Sequence, residues 1–183
     1  MSAENKKKSG CCGPGCLLIF AVPILLFALM SASVDSSNQR KQEEYRSAIS
    51  AMAGASNQEK FELAAKYVYG NDLIEARAGN EYPTVSVKYS GEPDTIRTLS
   101  CAEAVDMLER IHEIRELHGF EFTEIQFQTY TTLVDVYGNE RDGVILSFGV
   151  TEDALDRINF ENMLSTNIPN VAVNWYEHPA MKK

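Results

Sequence analysis

Apolar residues follow two different patterns along this chain. Between Ser9 and Val34 no residue is charged, and Cys16–Val34, CLLIFAVPILLFALMSASV, is apolar almost throughout. Beyond Asp35 the apolar positions become periodic and alternate with polar ones. As a helix, the first run would rise about 28 Å, close to the ~30 Å of a bilayer's hydrocarbon. It therefore predicts a transmembrane segment built on Cys16, Leu17, Leu18, Ile19, Phe20, Pro23, Phe27 and Val34. Pro23 would break a soluble helix, but membrane helices accommodate proline with a kink.

Lys6, Lys7 and Lys8 precede the run, whereas Asp35 follows it and the first positive charges beyond are Arg40 and Lys41. The nearer basic cluster places the N-terminus in the cytoplasm and the rest of the chain outside. The alternative is a signal peptide cleaved after Ser33, between the small residues there. The uncharged run is longer than the usual ~7–15-residue signal core, which favours an uncleaved signal anchor. A lipoprotein signal does not fit, because Cys11, Cys12 and Cys16 precede the apolar run instead of following it. Cys11 and Cys12, at the cytoplasmic edge, are candidate lipidation sites. Basic residues, a Gly/Cys cluster and an apolar helix together resemble the N-termini of many bacterial surface proteins. That resemblance implies topology and nothing more.

The periodic part predicts an α+β domain. Residues 36–53 form a polar, helix-prone stalk. Ser56 and Glu59 have capping-box spacing ahead of Phe61, Ala64, Ala65 and Val68, so 57–69 reads as a docking helix closed by Gly70. Short strands are expected at 73–78 and at 84–90, the latter with Val85, Val87 and Tyr89 on one face. Cys101, Ala104, Val105, Leu108, Ile111, Ile114 and Leu117 recur at gaps of three and four, predicting a helix over 99–118 with Ser100 and Glu103 as its cap. Ile125–Val136 alternates as a long strand whose phase changes near Leu133–Val134, suggesting a bulge. A loop over 138–143 and a return strand over 144–150 complete a hairpin. A helix from Thr151, restarting at Asn159 and broken by Ile168-Pro169-Asn170, leads to a last strand over 171–176. The order from residue 84 is β-α-β-β-α-β, which predicts a ferredoxin-like split βαβ, an antiparallel sheet with its helices on one face. The expected organisation is a cytoplasmic tail over 1–10, the transmembrane signal anchor over 11–34, a helical stalk and docking helix over 35–69, and an extracytoplasmic domain over 70–183.

Charge narrows the partners. From Asp35 onward the chain has 14 Lys and Arg against 25 Asp and Glu, a net charge of −11. Nucleic acid and anionic headgroups need a positive face, so neither is expected as a ligand. Cys101 is the one cysteine past the membrane run, which excludes a disulfide-stapled module.

Catalytic motifs are missing. His112 and His118 lie six apart on one helix, roughly 240° round its axis, and cannot share a metal ion. Cys101 and His112 are about 16 Å apart along that helix, too far for a Cys–His pair. There is no nucleophile elbow, phosphate loop, dinucleotide fingerprint or calcium loop, so no cofactor, metal or catalytic residue is expected. The aromatic residues Tyr130, Tyr137, Trp175 and Tyr176 form a candidate binding patch. The functional expectation is a membrane-anchored interaction module with a protein partner at the membrane. The alternative is a small-ligand binder or enzyme using the open sheet face.

Overall fold

The computed structural model describes residues 39–182, and from Ser47 onward the chain forms one compact unit. The apolar run over 16–34 expected to span a membrane, Cys11 and Cys12 lie outside the described residues. Among the described residues no helix is long and apolar enough to cross a membrane.

Helix α1 covers residues 39–51, and α2 covers Asn57–Tyr69. The α2 start is the expected capping box. Ser56 Oγ accepts from the Glu59 N–H, and the Glu59 carboxylate accepts from the Ser56 N–H at 2.8 Å. After a 3-10 turn at Gly70–Asp72 come strands β1 (Leu73–Arg77) and β2 (Thr84–Lys88). Helix α3 runs from Pro93 to His118, six residues longer at its start than the apolar periodicity alone indicates. Pro93 sits in the first turn, where its missing N–H has no helical partner to lose. Gly119, at φ +68, ends the helix in a left-handed conformation that a side chain would resist. Strands β3 (Glu124–Val134) and β4 (Glu140–Thr151) form the hairpin, and β5 (Val173–Glu177) is last.

The sheet is mixed, and its order is β1-β2-β3-β4-β5. Here the ferredoxin-like expectation fails. Strands β2 and β3, joined by α3, lie side by side and parallel, with Val85 opposite Phe127 and Val87 opposite Thr129. A split βαβ would separate those two strands with a third. Here nothing comes between them, and all other pairings are antiparallel.

The second helical layer is also smaller than expected. Helix α4 is a single turn, Glu152–Leu155, capped by Thr151, and no α-helix forms over FENMLS, whose last residue opens a 3-10 turn at Ser165–Asn167. The Ile168-Pro169-Asn170 stretch, expected as a break, is itself helical as α5 (Ile168–Val171), again with proline in the first turn. The bulge of the long hairpin lies on β4. Thr129 pairs with Leu146 and Tyr130 with Val144, so Ile145 is the extra residue.

Ile125, Phe127 and Thr129 face α3 together with Val150, Phe148 and Leu146 across the ladder. Phe127 stacks on Phe148 at 5.0 Å, and Phe148 on Trp175 at 5.1 Å. From α3 come Ile96, Cys101, Ala104, Met107, Leu108, Ile111 and Ile114, all buried. Thr129 Oγ1 donates to Ser100 Oγ at 3.0 Å, and Ser100 in turn donates to the Ile96 carbonyl, so this polar pair inside the core is satisfied. Ser100 is therefore an interior residue of α3 and not its cap. Phe61 of α2 stacks on Phe120 at 5.9 Å and closes the helical layer. The opposite sheet face, with Gln126, Gln128 and Tyr130 half-exposed, carries no helix among the described residues.

Candidate functional site

Two features stand out on the uncovered side of the sheet. The first is a shallow hollow of about 250 Å³ lined by Glu124, Gln126, Gln128, Ser147 and Asn174, with Phe127 and Phe148 between them along the strands. The ladder explains its shape. Gln126 lies opposite Gly149, and Gln128 opposite Ser147, which in turn faces Tyr176. A Cβ on Gly149 would overlap the Glu124 carboxylate, so the missing side chain is what lets Glu124 lie across β4. Strand β5 then holds it there. Between Gly149↔Val173 and Ser147↔Tyr176 the β5 strand has one residue more than β4. Trp175 stacks on Phe148, so Asn174 is the extra residue. Its φ is +55, the left-handed region that asparagine tolerates better than most side chains. In this position Asn174 Nδ2 donates to both Glu124 oxygens, at 3.2 and 3.3 Å. Tyr130 Oη donates to Gln128 Oε1 at 3.1 Å. Among the described residues, no hydrogen bond occupies the side chains of Gln126 and Ser147 or the Gln128 Nε2 group.

The second feature is the tip of the β3–β4 hairpin. Strand β2 pairs with β3 only as far as Tyr130, and β5 pairs with β4 only from Leu146, so residues 132–143 project beyond both neighbours. Asp135 organises the turn. Its Oδ1 accepts from the N–H groups of Tyr137 and Asn139, and Asn139 Nδ2 donates to its carboxylate. These bonds, that of the Asn139 side chain first, hold the Asp135 carboxyl below the usual carboxylate range. The turn presents Val136 and Tyr137, 93% and 87% exposed. Farther back, Lys88 pairs with Asp142 at 2.8 Å and Thr132 bonds the same carboxylate, bracing the arm against β2.

The four aromatic residues expected to share a patch are thus divided. Tyr130 and Tyr176 lie on the open face, Tyr176 across from Ser147 on the neighbouring strand. Tyr137 is at the hairpin tip. Trp175 points to the helical side and is part of the core stack.

No family model, curated protein or solved structure matches the chain.

The other titratable groups are structural. Cys101 is buried, and burial pushes its thiol up to about 11, the opposite of an activated nucleophile. His118 Nε2 is 2.8 Å from the Ile49 carbonyl, His178 caps the Pro179–Met181 turn, and His112 packs near Phe160. Among the described residues no cluster of His, Cys, Asp and Glu could hold a metal ion. A further polar group was not evident from sequence. Tyr89 donates to the Glu103 carboxylate on α3, and Tyr69 Oη bonds the Glu103 carbonyl at 3.4 Å. Burial, and then the bond and charge of Glu103, raise Tyr89 far above the usual phenol range. This group ties β2 and α2 to the middle of α3.

Proposed function

We propose that this protein is a single-pass, membrane-anchored interaction module whose extracytoplasmic domain engages a protein partner through the β3–β4 hairpin arm. The observation that carries the reading is the preorganised tip, where a turn fixed by Asp135 holds a valine and a tyrosine almost fully in solvent. Exposed apolar side chains cost nothing unusual singly. Two of them together on a rigid, projecting arm reduce the ordering cost of binding and suit a central contact in a partner's pocket. The margin of the tip has Asp135, Glu140 and Asp142 against Arg141, so the fitting partner has an apolar cleft with a basic rim. The acidic balance of the domain supports the same polarity and opposes nucleic acid. The bilayer is engaged by the N-terminal apolar run, whose length and flanking lysines support the anchor and its orientation.

The test is site-specific photo-cross-linking in native membranes. A benzoylphenylalanine at position 137 is expected to give one discrete adduct that disappears with Val136→Ser, while the same probe at Leu117 on α3 gives none. Equal adducts at both positions, or none at 137 in folded protein, would count against the hairpin as the docking element.

A further inference from the structure

We propose that the hollow beside the hairpin, independently of any protein docking at the tip, is a binding site for one ring of a neutral sugar. Its size sets the first limit. Pockets for drug-sized ligands run to about 300–1,000 Å³, so a hollow of about 250 Å³ takes something smaller, of the order of a monosaccharide.

The chemistry of the lining sets the second limit. The free groups are mixed in kind. Gln126 offers an acceptor and a donor pair, Gln128 its Nε2 donors, Ser147 a hydroxyl that does both, and Glu124 its remaining acceptor sites. An ammonium ion can only donate, and would leave the carboxamide N–H groups facing it unpaired. A phosphate or carboxylate can only accept, and would meet the Glu124 charge. Sugar hydroxyls donate to Glu124 while accepting from the carboxamides, which satisfies both sets at once. Tyr176, 44% exposed and directly across from Ser147, supplies an apolar ring for the C–H face of a sugar.

The third observation is how much of the local backbone serves to present Glu124. Gly149 clears the space it occupies, and Asn174 adopts a left-handed conformation in the middle of a strand to reach both of its oxygens. Strained residues of that kind collect where a side chain has to be held for a purpose. Asn174 is a positioning residue, and Glu124, Gln126, Gln128 and Ser147 are the groups that touch the ligand.

Saturation-transfer NMR on the full chain in a sugar-free detergent tests this. The probes are the methyl glycosides of glucose, galactose, mannose and N-acetylglucosamine, with lysine amide as the cationic control. At least one glycoside is expected to show transfer and to shift the side-chain amide signals of Gln126 and Gln128. Glu124→Gln keeps the shape but loses the charge, and is expected to weaken that binding about tenfold. Asn174→Gly keeps the backbone conformation, removes the clamp and is expected to weaken it likewise. The proposal is overturned if no glycoside binds up to ~20 mM, where a contact of this small area would still register. It is equally overturned if binding leaves the two glutamine signals unmoved, or if only lysine amide binds. The amide shifts are read on the wild-type chain, so a variant that fails to fold does not remove the test.

Discussion

Burial lifts the Glu103 carboxyl above the usual carboxylate range. The bond from Tyr89 works against this, and the charges of Asp72 and Asp106 add to it. The folded protein therefore keeps a proton that the unfolded chain gives up, and the stability this group contributes falls as pH rises from the unfolded carboxylate range through the folded value. The exposed acids behave oppositely. Glu59, Glu62, Asp135 and Asp142 are all lowered by hydrogen bonds, so what they contribute is present above the unfolded range and is lost on acidification. Glu103→Gln separates the two, since glutamine still accepts from Tyr89 and cannot ionise. Relative to wild type, its melting temperature is expected to improve as pH rises from the unfolded carboxylate range toward neutrality. Circular dichroism melts across that range check it, and a difference that does not vary with pH would contradict it. Arg110, 3% exposed, shows the other way of handling a charge in the helical layer. Two bonds of 2.6 Å, to Glu109 and Glu113, and the Tyr67 ring 5.9 Å away keep it paired.

Helix α2 was legible in the sequence to the residue because its signals are local, namely a capping box, an apolar stripe and a glycine stop. The apolar stripe of α3 was equally plain. Its start was not, because Gly-Glu-Pro-Asp reads both as a turn and as a helix beginning with proline. Strand order is a different kind of information. Whether β3 settles beside β2 or one place away depends on packing between residues 40 apart, and the alternation within either strand is the same in both cases. The hollow was half visible. Gln126 and Gln128 were evident as one polar face, but the contribution of Asn174 depends on a backbone bulge that its neighbours in sequence do not announce. The β1 edge holds another such device. The Gln58 carboxamide donates to the Ala76 carbonyl and accepts from the Ala78 N–H, both at 2.7 Å. One side chain thus takes the part of a residue in a parallel neighbouring strand and covers that stretch of edge. Gln58→Ala is expected to speed amide exchange at Ala78 while leaving that of Val85 and Val87 unchanged. Hydrogen-exchange NMR reads this, and unchanged exchange at Ala78 would mean the edge is protected by something else.

For the whole molecule, the first question is whether the proposed anchor holds the domain outside the cell. A cysteine introduced at Glu140, exposed on the hairpin, is expected to react with an impermeant maleimide added outside intact cells. Cys101 is buried and stays unlabelled. Labelling of residue 140 only after lysis would overturn the proposed topology. A mature N-terminus at Val34, read by mass spectrometry, would replace the anchor with a cleaved signal.

The sheet's unbroken order also bears on how the chain folds as it is made. Each strand joins the edge left by the one before it, and none has to push between two that are already paired. The one long reach, from β2 to β3, is bridged by α3 itself. Growth ends with β5, and until that strand arrives β4 offers neighbouring chains the unpaired edge from Leu146 to Gly149 that β5 covers. The latch that ends this interval is already in place on α3. Arg97 bonds Glu177 at 2.9 Å and the Met181 carbonyl at 3.3 Å. Glu177 and Met181 thereby tie β5 and the turn after it to α3 and keep that edge closed.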